Sequence, residues 1–168
     1  NSDVVTPLAT QPVVANISSN NPRERWLEIG TSWFQHPETW TTPIADDGPS
    51  DWQRIEVAVD ESKREGEPNS NNRRVDVVKP ATPLTQVPLE PVVVSNVNIG
   101  EESVRFSVDK VGVPVLVRVS YFPNWKVDGA EGPYRVAPNM MVVIPTSTDV
   151  NMHYGWMNRR YARKEPMG

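Results

Sequence analysis

Tryptophans are the residues of this chain with the most distinctive binding chemistry, and there are six of them. An indole ring presents a flat apolar face to the C–H groups of a sugar and an N–H group to its hydroxyls. Trp40 and Trp156 lie in or next to predicted loops, so we expect both to be exposed. Tyr121, Asn124 and Asp128 lie close together and could supply the polar groups that orient a ligand. These five residues form the predicted glycan-binding site.

The other four tryptophans have a structural explanation. Trp26 and Trp33 recur at helical spacing, whereas Trp52 and Trp125 begin segments in which apolar and polar residues alternate. Side chains in both patterns normally face a core. We therefore expect these four to be buried. The alternative is that Trp33, or Trp40 in the loop that follows the helix, is exposed and stacks on a sugar.

Metal-binding residues are sparse. Asp46, Asp47 and Asp51 are a weak calcium candidate, because calcium prefers several oxygen ligands. Their spacing is not that of the Asp-x-Asp-x-Asp-Gly loop, and a solvated turn is the favoured interpretation. The chain has no cysteine and only two histidines, His36 and His153, which leaves little material for a transition-metal site. The sequence predicts neither a metal nor a cofactor.

No motif for catalysis is present in the sequence. It contains neither a Gly-rich phosphate loop nor a nucleophile elbow. Acidic residues are plentiful, so a pair of glycosidase carboxylates is possible by residue type. Their spacing does not single out two of them, and we predict that the chain is not an enzyme.

Length and composition restrict the class of protein. A chain of 168 residues allows one domain, or one domain with a smaller appendage. Its 17 prolines are about twice the usual share, which disfavours a mainly helical fold. The 17 basic and 21 acidic residues form no basic stripe, so nucleic acid is not expected as a partner. Neither a run of eighteen apolar residues nor a signal peptide is present, and we expect an excised soluble part of a longer protein.

Residues 113–154 contain the strongest strand signals. Valines at 113, 115, 117 and 119 alternate with other residues, which is typical of a strand with one buried face. Asp128-Gly129 is a common hairpin turn, and Gly132-Pro133 and Pro138-Asn139 are further turn signals. Pro123 must bend the chain or lie at an edge because it has no N–H group. Short strands at this spacing predict an antiparallel sandwich or barrel.

The N-terminal part predicts one helix and several strands. Asn21 and Pro22 are a cap and first turn for an amphipathic helix that ends near Gln35. Val4-Val5 and Val13-Val14 predict short edge strands, and residues 52–60 and 73–79 predict a hairpin with a long loop. Residues 92–98 and 103–108 predict two more strands.

The predicted fold class is therefore mainly β: an antiparallel β-sandwich, jelly-roll-like, with one N-terminal amphipathic helix packed on it. We divide the chain into a helix-plus-hairpin portion (1–79), a Pro-rich connector (80–91), a sandwich core (92–157) and a basic tail (158–168). The tail is interpreted as a solvated end, or alternatively as a segment that approaches anionic lipid headgroups.

One pattern resembles a known family. Its residues are Tyr121, Phe122, Pro123, Trp125, Asp128, Gly129 and Tyr154. Together with the apolar strand MMVVIP, this pattern resembles a small β-sandwich near the C-terminus of large bacterial membrane proteins. Those proteins are similar to GT-C-type glycosyltransferases, including the YfhO-like family and its relatives in the actinobacterial cell envelope. The resemblance covers roughly residues 92–155.

The resemblance implies a setting rather than an activity. It implies an extracytoplasmic domain, tethered to the cell membrane by a transmembrane part of the same polypeptide that carries any transferase chemistry. We therefore expect a non-catalytic domain that binds or positions a cell-envelope glycan or a lipid-linked sugar. The alternatives are a structural or protein-interaction module that docks on the transmembrane part, and an autonomous glycosidase.

Overall fold

A computed structural model describes residues 3–17, 20–63 and 76–154. Their fold is mainly β, with one α-helix, as the sequence predicts. The elements are β1 (Val5–Pro7), β2 (Val13–Asn16), α1 (Pro22–Gln35), β3 (Ile44–Ala45), β4 (Arg54–Val59), β5 (Val78–Pro80), β6 (Val94–Ile99), β7 (Ser103–Val108), β8 (Val115–Val117), β9 (Trp125–Asp128), β10 (Ala130–Val136), β11 (Met140–Pro145) and β12 (Asp149–Tyr154). A 3-10 turn at Glu61–Lys63 follows β4.

The chain forms two compact units. Unit 1 contains the described parts of Asn1–Ala9, Leu89–Arg135 and Met140–Gly168, and unit 2 contains those of Thr10–Pro88 and Val136–Asn139. Residues 3–9 thus belong with the C-terminal strands, and residues 80–88 of the expected connector belong with unit 2. The predicted basic tail, 158–168, lies outside the described residues.

Unit 1 is built from two sets of neighbouring strands, in the orders β1-β8-β11-β10 and β6-β7-β12-β9. Strand β8 pairs antiparallel with β1 and β11, and β12 pairs antiparallel with β7 and β9. Both sets contribute side chains to one hydrophobic core, among them Val115 and Met141 from the first and Phe106, Trp125 and Met152 from the second. Strand β8 is shorter than the alternation at 113–119 predicts.

Two predicted turns in unit 1 are wrong. Asp128-Gly129 does not join a hairpin, because β9 pairs with β12 whereas β10 lies beside β11. The chain passes from one set of strands to the other at Gly129, whose φ of 83° suits a residue without a Cβ atom. The dipeptide Gly132-Pro133 lies inside β10 rather than at a turn. The predicted turn at Pro138-Asn139 is confirmed between β10 and β11.

The helix of unit 2 begins and ends where the sequence predicts. The side chain of Asn21 caps it by accepting a hydrogen bond from the Glu24 N–H group at 3.2 Å. Its inner face places Trp26 and Ile29 in the second hydrophobic core, where the indole N–H of Trp26 donates to the Pro138 carbonyl at 3.1 Å. The helix therefore packs on the strands of unit 2.

The strands of unit 2 lie in the order β3-β2-β4-β5. The antiparallel pairing of β4 with β5 confirms the described part of the long-looped hairpin. Strand β2 is not an edge strand as predicted, because it lies between β3 and β4 and pairs parallel with both. The expectation of a purely antiparallel fold is thus wrong in this unit. Three of the four residues of β2 are buried, which agrees with an interior position.

Met152 supports the core of unit 1 from the middle of β12, where its side chain is fully buried. Met152→Ala is expected to lower the free energy of unfolding by about 2–5 kcal/mol, because it removes apolar contacts and leaves a cavity. Urea unfolding, with amide exchange of β7 and β12 as the local readout, measures the change. The control is Lys126→Ala in β9, whose exposed side chain should change stability by about 0.5 kcal/mol or less. Equal effects of the two variants would contradict the assigned core.

Candidate functional site

The outward face of the β6-β7-β12-β9 strands carries several polar side chains. Alternation places Val104 and Phe106 of β7 in the core, so Arg105 and Ser107 point the other way. The same alternation in β12 turns Asn151 outward. The cross-strand register places Asn151 opposite Arg105 on one side and opposite Asp128 of β9 on the other.

These side chains line an open groove of about 560 Å³, hereafter the polar groove. That volume lies within the range of small-molecule sites in proteins. Its lining residues are Asn96, Arg105, Phe106, Ser107, Asp128, Gly129, Ser147, Asp149, Val150 and Asn151. Seven of these ten residues have a side chain that can donate or accept hydrogen bonds.

A chain of hydrogen bonds orders one end of the polar groove. The Ser107 hydroxyl donates to an Asp149 carboxylate oxygen at 2.8 Å, and the Asn96 amide lies 3.4 Å from the same hydroxyl. Asn96 has a positive φ of 55° and sits where the register of β6 against β7 shifts, between Ser95 and Asn98. Such a bulge redirects a side chain, and here it brings Asn96 to the groove.

A contact between His153 and Asp128 and two backbone hydrogen bonds to Gly129 order the side of the groove that β9 forms. His153 Nε2 lies 3.0 Å from Asp128 Oδ2, and the Asp128 side chain is 75% exposed. The carbonyl of Gly129 accepts hydrogen bonds from the N–H groups of Thr146 and Ser147, which fixes the segment that carries Ser147 at the rim. A Cβ atom at Gly129 would collide with the Asp149 carbonyl, so glycine is required here by space as well as by φ.

The chemistry of the polar groove is that of hydrogen bonding to a polar ligand. Guanidinium, amide, hydroxyl and carboxylate groups face it from four strands, which suits a ligand that both donates and accepts. Sugar hydroxyls have that property. Across the described ranges, no group of three or more His, Cys, Asp or Glu side chains is placed to hold a metal ion.

Of the predicted glycan-binding residues, Asp128 lines the polar groove. Trp40 is 3% exposed, and its N–H group donates to the Val78 carbonyl at 3.1 Å inside unit 2. The expectation of an exposed Trp40 is wrong, because its loop folds back over the core of that unit. Trp156 lies outside the described residues.

Tyr121 and Asn124 precede β9 and are not among the residues that line the polar groove. Tyr121 packs against the core of unit 1, with the Arg135 guanidinium 5.9 Å from the centre of its ring. Asn124 is exposed, but it lies four positions before Asp128 along the chain, or about 13 Å for extended chain. The proximity of these residues in sequence therefore does not bring them to one site.

The tryptophans expected in a core are buried there. Trp26, Trp52 and Trp125 are each 5% exposed or less, and Trp33 packs partly buried against the core of unit 2. Trp125 stacks on Tyr154 with ring centres 4.5 Å apart. No tryptophan or tyrosine is among the groove-lining residues, so the predicted stacking mode is not what the polar groove offers.

The calcium candidate lies in unit 2. Asp47 accepts a hydrogen bond from the Gly48 N–H group at 2.8 Å, which is a local turn interaction. Asp46, Asp47 and Asp51 do not form a metal-binding group with one another or with other described side chains. The structure therefore agrees with the interpretation of this segment as a turn.

Sequence reasoning missed most of the polar groove, including Arg105, Asp149 and Asn151. Each of them occupies a polar position in an alternating strand, and that signal was visible. The sequence does not show that β12 lies between β7 and β9. The paired residues of β7 and β12 are about 45 positions apart, and those of β9 and β12 are about 25 positions apart.

The comparisons with known proteins identify no relative. No protein-family model, curated protein or solved structure matches this chain. Among the helices that the structure describes, none is both long and apolar enough to cross a membrane.

Burial and hydrogen bonding shift the pKa values of Glu28, Glu38 and Asp60 in unit 2. Burial raises the pKa of Glu28, although the Asp76 N–H group and Arg25 act in the opposite direction. A hydrogen bond from the Lys63 ammonium lowers the pKa of Glu38. The Ser62 hydroxyl, which donates to Asp60 at 2.6 Å, lowers the pKa of Asp60. Asp60 thereby caps the 3-10 turn at Glu61–Lys63.

Asp60 should stabilise unit 2 in a pH-dependent way. Because its pKa is lower in the folded state than the ordinary value of 3.8, its contribution is present above that value. The contribution is lost as the pH falls through the lower pKa of the folded state. Asp60→Asn is therefore expected to reduce the urea midpoint at pH 7, with a difference that shrinks at about pH 2.5. Asp51→Asn, at an exposed turn, is the control, and an offset for Asp60→Asn that is the same at both pH values would contradict the assignment.

Proposed function

We propose that this chain is a non-catalytic extracytoplasmic domain of a membrane-embedded, glycosyltransferase-like envelope protein. Its polar groove binds or positions a glycan or a lipid-linked sugar. The observation that carries the proposal is the row of Arg105, Asn151 and Asp128 across three neighbouring strands. The motif around Trp125 and Asp128, which resembles the C-terminal domain of such proteins, supports the setting.

In this proposal, unit 1 is a β-sandwich. Two sets of strands contribute to a single core, and the polar groove lies on the opposite face of one set. That division of faces is typical of antiparallel sheets that are packed on one side. A ligand on the outward face would leave the core undisturbed, which suits a binding domain.

The spacing of the row supports a sugar ligand. Neighbouring strands lie about 4.8 Å apart, so the three side chains present hydrogen-bonding groups over about 10 Å. Hydroxyls on one or two sugar rings are distributed over the same distance. The groups are held by paired strands, so little conformational freedom is lost when a ligand binds.

Asn151→Ala and Asp128→Asn test the polar groove directly. Each variant removes or weakens one hydrogen-bonding partner, and we expect envelope oligosaccharides to bind about fivefold to tenfold more weakly. Nitrogen-15 NMR titration measures the affinity and shows whether the shifted amides belong to β7, β9 and β12. Lys126→Ala is the matched control, since Lys126 is exposed in the same strand as Asp128 but is not among the groove-lining residues.

Two results would contradict the proposal. One is the absence of amide shifts in β7, β9 and β12 with every oligosaccharide. The other is the release of shortened oligosaccharides, which would favour the glycosidase hypothesis because Asp128 and Asp149 both line the groove. Loss of that release in Asp149→Asn would place the activity there.

A second function, docking of the domain on the transmembrane part of the same polypeptide, is favoured by helix α1. Leu27 is 59% exposed and Phe34 is 75% exposed. They are seven residues apart, so they lie on one side of the helix, away from the buried Trp26 and Ile29. Apolar side chains of this size on a helix surface are typical of contact surfaces.

A photo-crosslinking residue at position 34 of the longer polypeptide tests this second function. In native membranes we expect cross-links to the transmembrane part, because an apolar ring at this position would be covered. The same residue at position 126, in unit 1, is the control. If positions 34 and 126 give the same low yield, the helix is not a docking surface.

A further inference from the structure

We propose that Arg105 selects a sugar that carries an oxyanion, either the carboxylate of a uronic acid or the phosphate of a sugar phosphate. This inference rests on the proposed glycan-binding function and specifies the ligand of the same groove. Its basis is the difference between Arg105 and the other charged groups that line the groove.

Arg105 is the lining charge whose side chain is free. Asp149 accepts a hydrogen bond from Ser107, and Asp128 pairs with His153. The exposed guanidinium of Arg105 has no hydrogen bond or ion pair with any residue that the structure describes. Five N–H donors are thus presented to the groove without an acceptor from the protein.

A guanidinium group recognises oxyanions better than hydroxyls. Its planar fork donates two parallel hydrogen bonds to a carboxylate or phosphate, and such charge-assisted bonds are roughly twice as strong as neutral ones. A lysine provides a point charge without this fork. Arg105 therefore favours a planar or tetrahedral oxyanion over the neutral hydroxymethyl group of a hexose.

The neighbours of Arg105 determine where the oxyanion can bind. In the register, Asn151 lies opposite it on β12 and Asn98 lies opposite it on β6, so both flanking residues are uncharged amides. Asp128 is two strands away, about 10 Å, where screening at physiological salt is already strong. Asp149 lies diagonally across on β12, about 7–8 Å away, and repels an anion on that side.

The oxyanion therefore binds on the Asn98 side of Arg105, away from Asp149. The sugar ring then lies over Asn151, and a second ring of a longer glycan reaches Asp128, whose carboxylate accepts hydrogen bonds from ring hydroxyls. In this orientation the acidic groups of the groove accept hydrogen bonds from hydroxyls. Arg105, the basic residue among the described lining residues, binds the anion.

Three matched probes test this inference on the intact chain: methyl glucoside, methyl glucuronide and glucose 1-phosphate. We expect the wild-type protein to bind at least one of the two anionic probes about tenfold more tightly than methyl glucoside. Arg105→Gln should remove this preference, so that the anionic and neutral probes bind with similar affinity, and Arg105→Lys should restore only part of it. Arg118→Gln is the control, because Arg118 is an exposed arginine of unit 1 that is not among the groove-lining residues.

The outcomes separate this inference from the proposed function. Preference for the glucuronide or for the phosphate supports the inference and identifies the source of the oxyanion. Equal affinity for the neutral and anionic probes, unchanged in Arg105→Gln, overturns the inference but leaves glycan binding in place. If none of the three probes shifts the amides of Arg105 and Asn151, the inference is overturned. If envelope oligosaccharides also fail to shift them, the proposed function is overturned as well.

Discussion

Strand β12 is constrained by hydrogen bonding along both of its edges and by the different surroundings of its two faces. It is hydrogen-bonded to β7 on one side and to β9 on the other, so its register is fixed twice. Its even-numbered residues Val150 and Met152 fill the core, whereas Asn151 faces the polar groove. A slip of one residue would expose the apolar side chains and bury the polar ones. The packing of the core therefore fixes the register that places the groove residues. A change in the core that altered this register would also alter the groove.

The crossing of the chain at Gly129 from one set of strands to the other also follows from the position of β12. Strand β9 must end beside β12, yet the next strand, β10, lies beside β11 in the other set. The chain crosses between the sets within one residue, and that residue must tolerate a positive φ and the close approach of the Asp149 carbonyl. Because the Gly129 carbonyl also binds the Thr146 and Ser147 N–H groups, the crossing places the rim of the groove.

Local signals in the sequence predict what is determined locally. The cap at Asn21 and the strand at 103–108 depend on neighbours within a few residues, and the structure agrees with both. Signals that depend on a distant partner were misinterpreted. The dipeptide Asp128-Gly129 predicts a hairpin, because the sequence does not reveal that β12 is the partner of β9. Residues 13 and 14 of β2 predict an edge strand, because the parallel partners of β2 come later in the chain and the sequence does not identify them. The candidate site was found only at Asp128, because sites on sheets are assembled by strand order.

Three of the described tryptophans belong to the hydrophobic cores. Trp26, Trp40 and Trp125 each donate their N–H group to a backbone carbonyl and bury their rings. An indole that is used in this way fixes a loop or a strand end to a core and has no free face for a sugar. The lining of the polar groove contains one arginine and six shorter polar side chains. Recognition by such a surface depends on matching donors and acceptors at fixed spacing, so a misplaced or missing hydroxyl is penalised more strongly than it would be on a stacking platform. If the polar groove binds a sugar as proposed, it should therefore be specific for one arrangement of polar groups rather than for sugars in general.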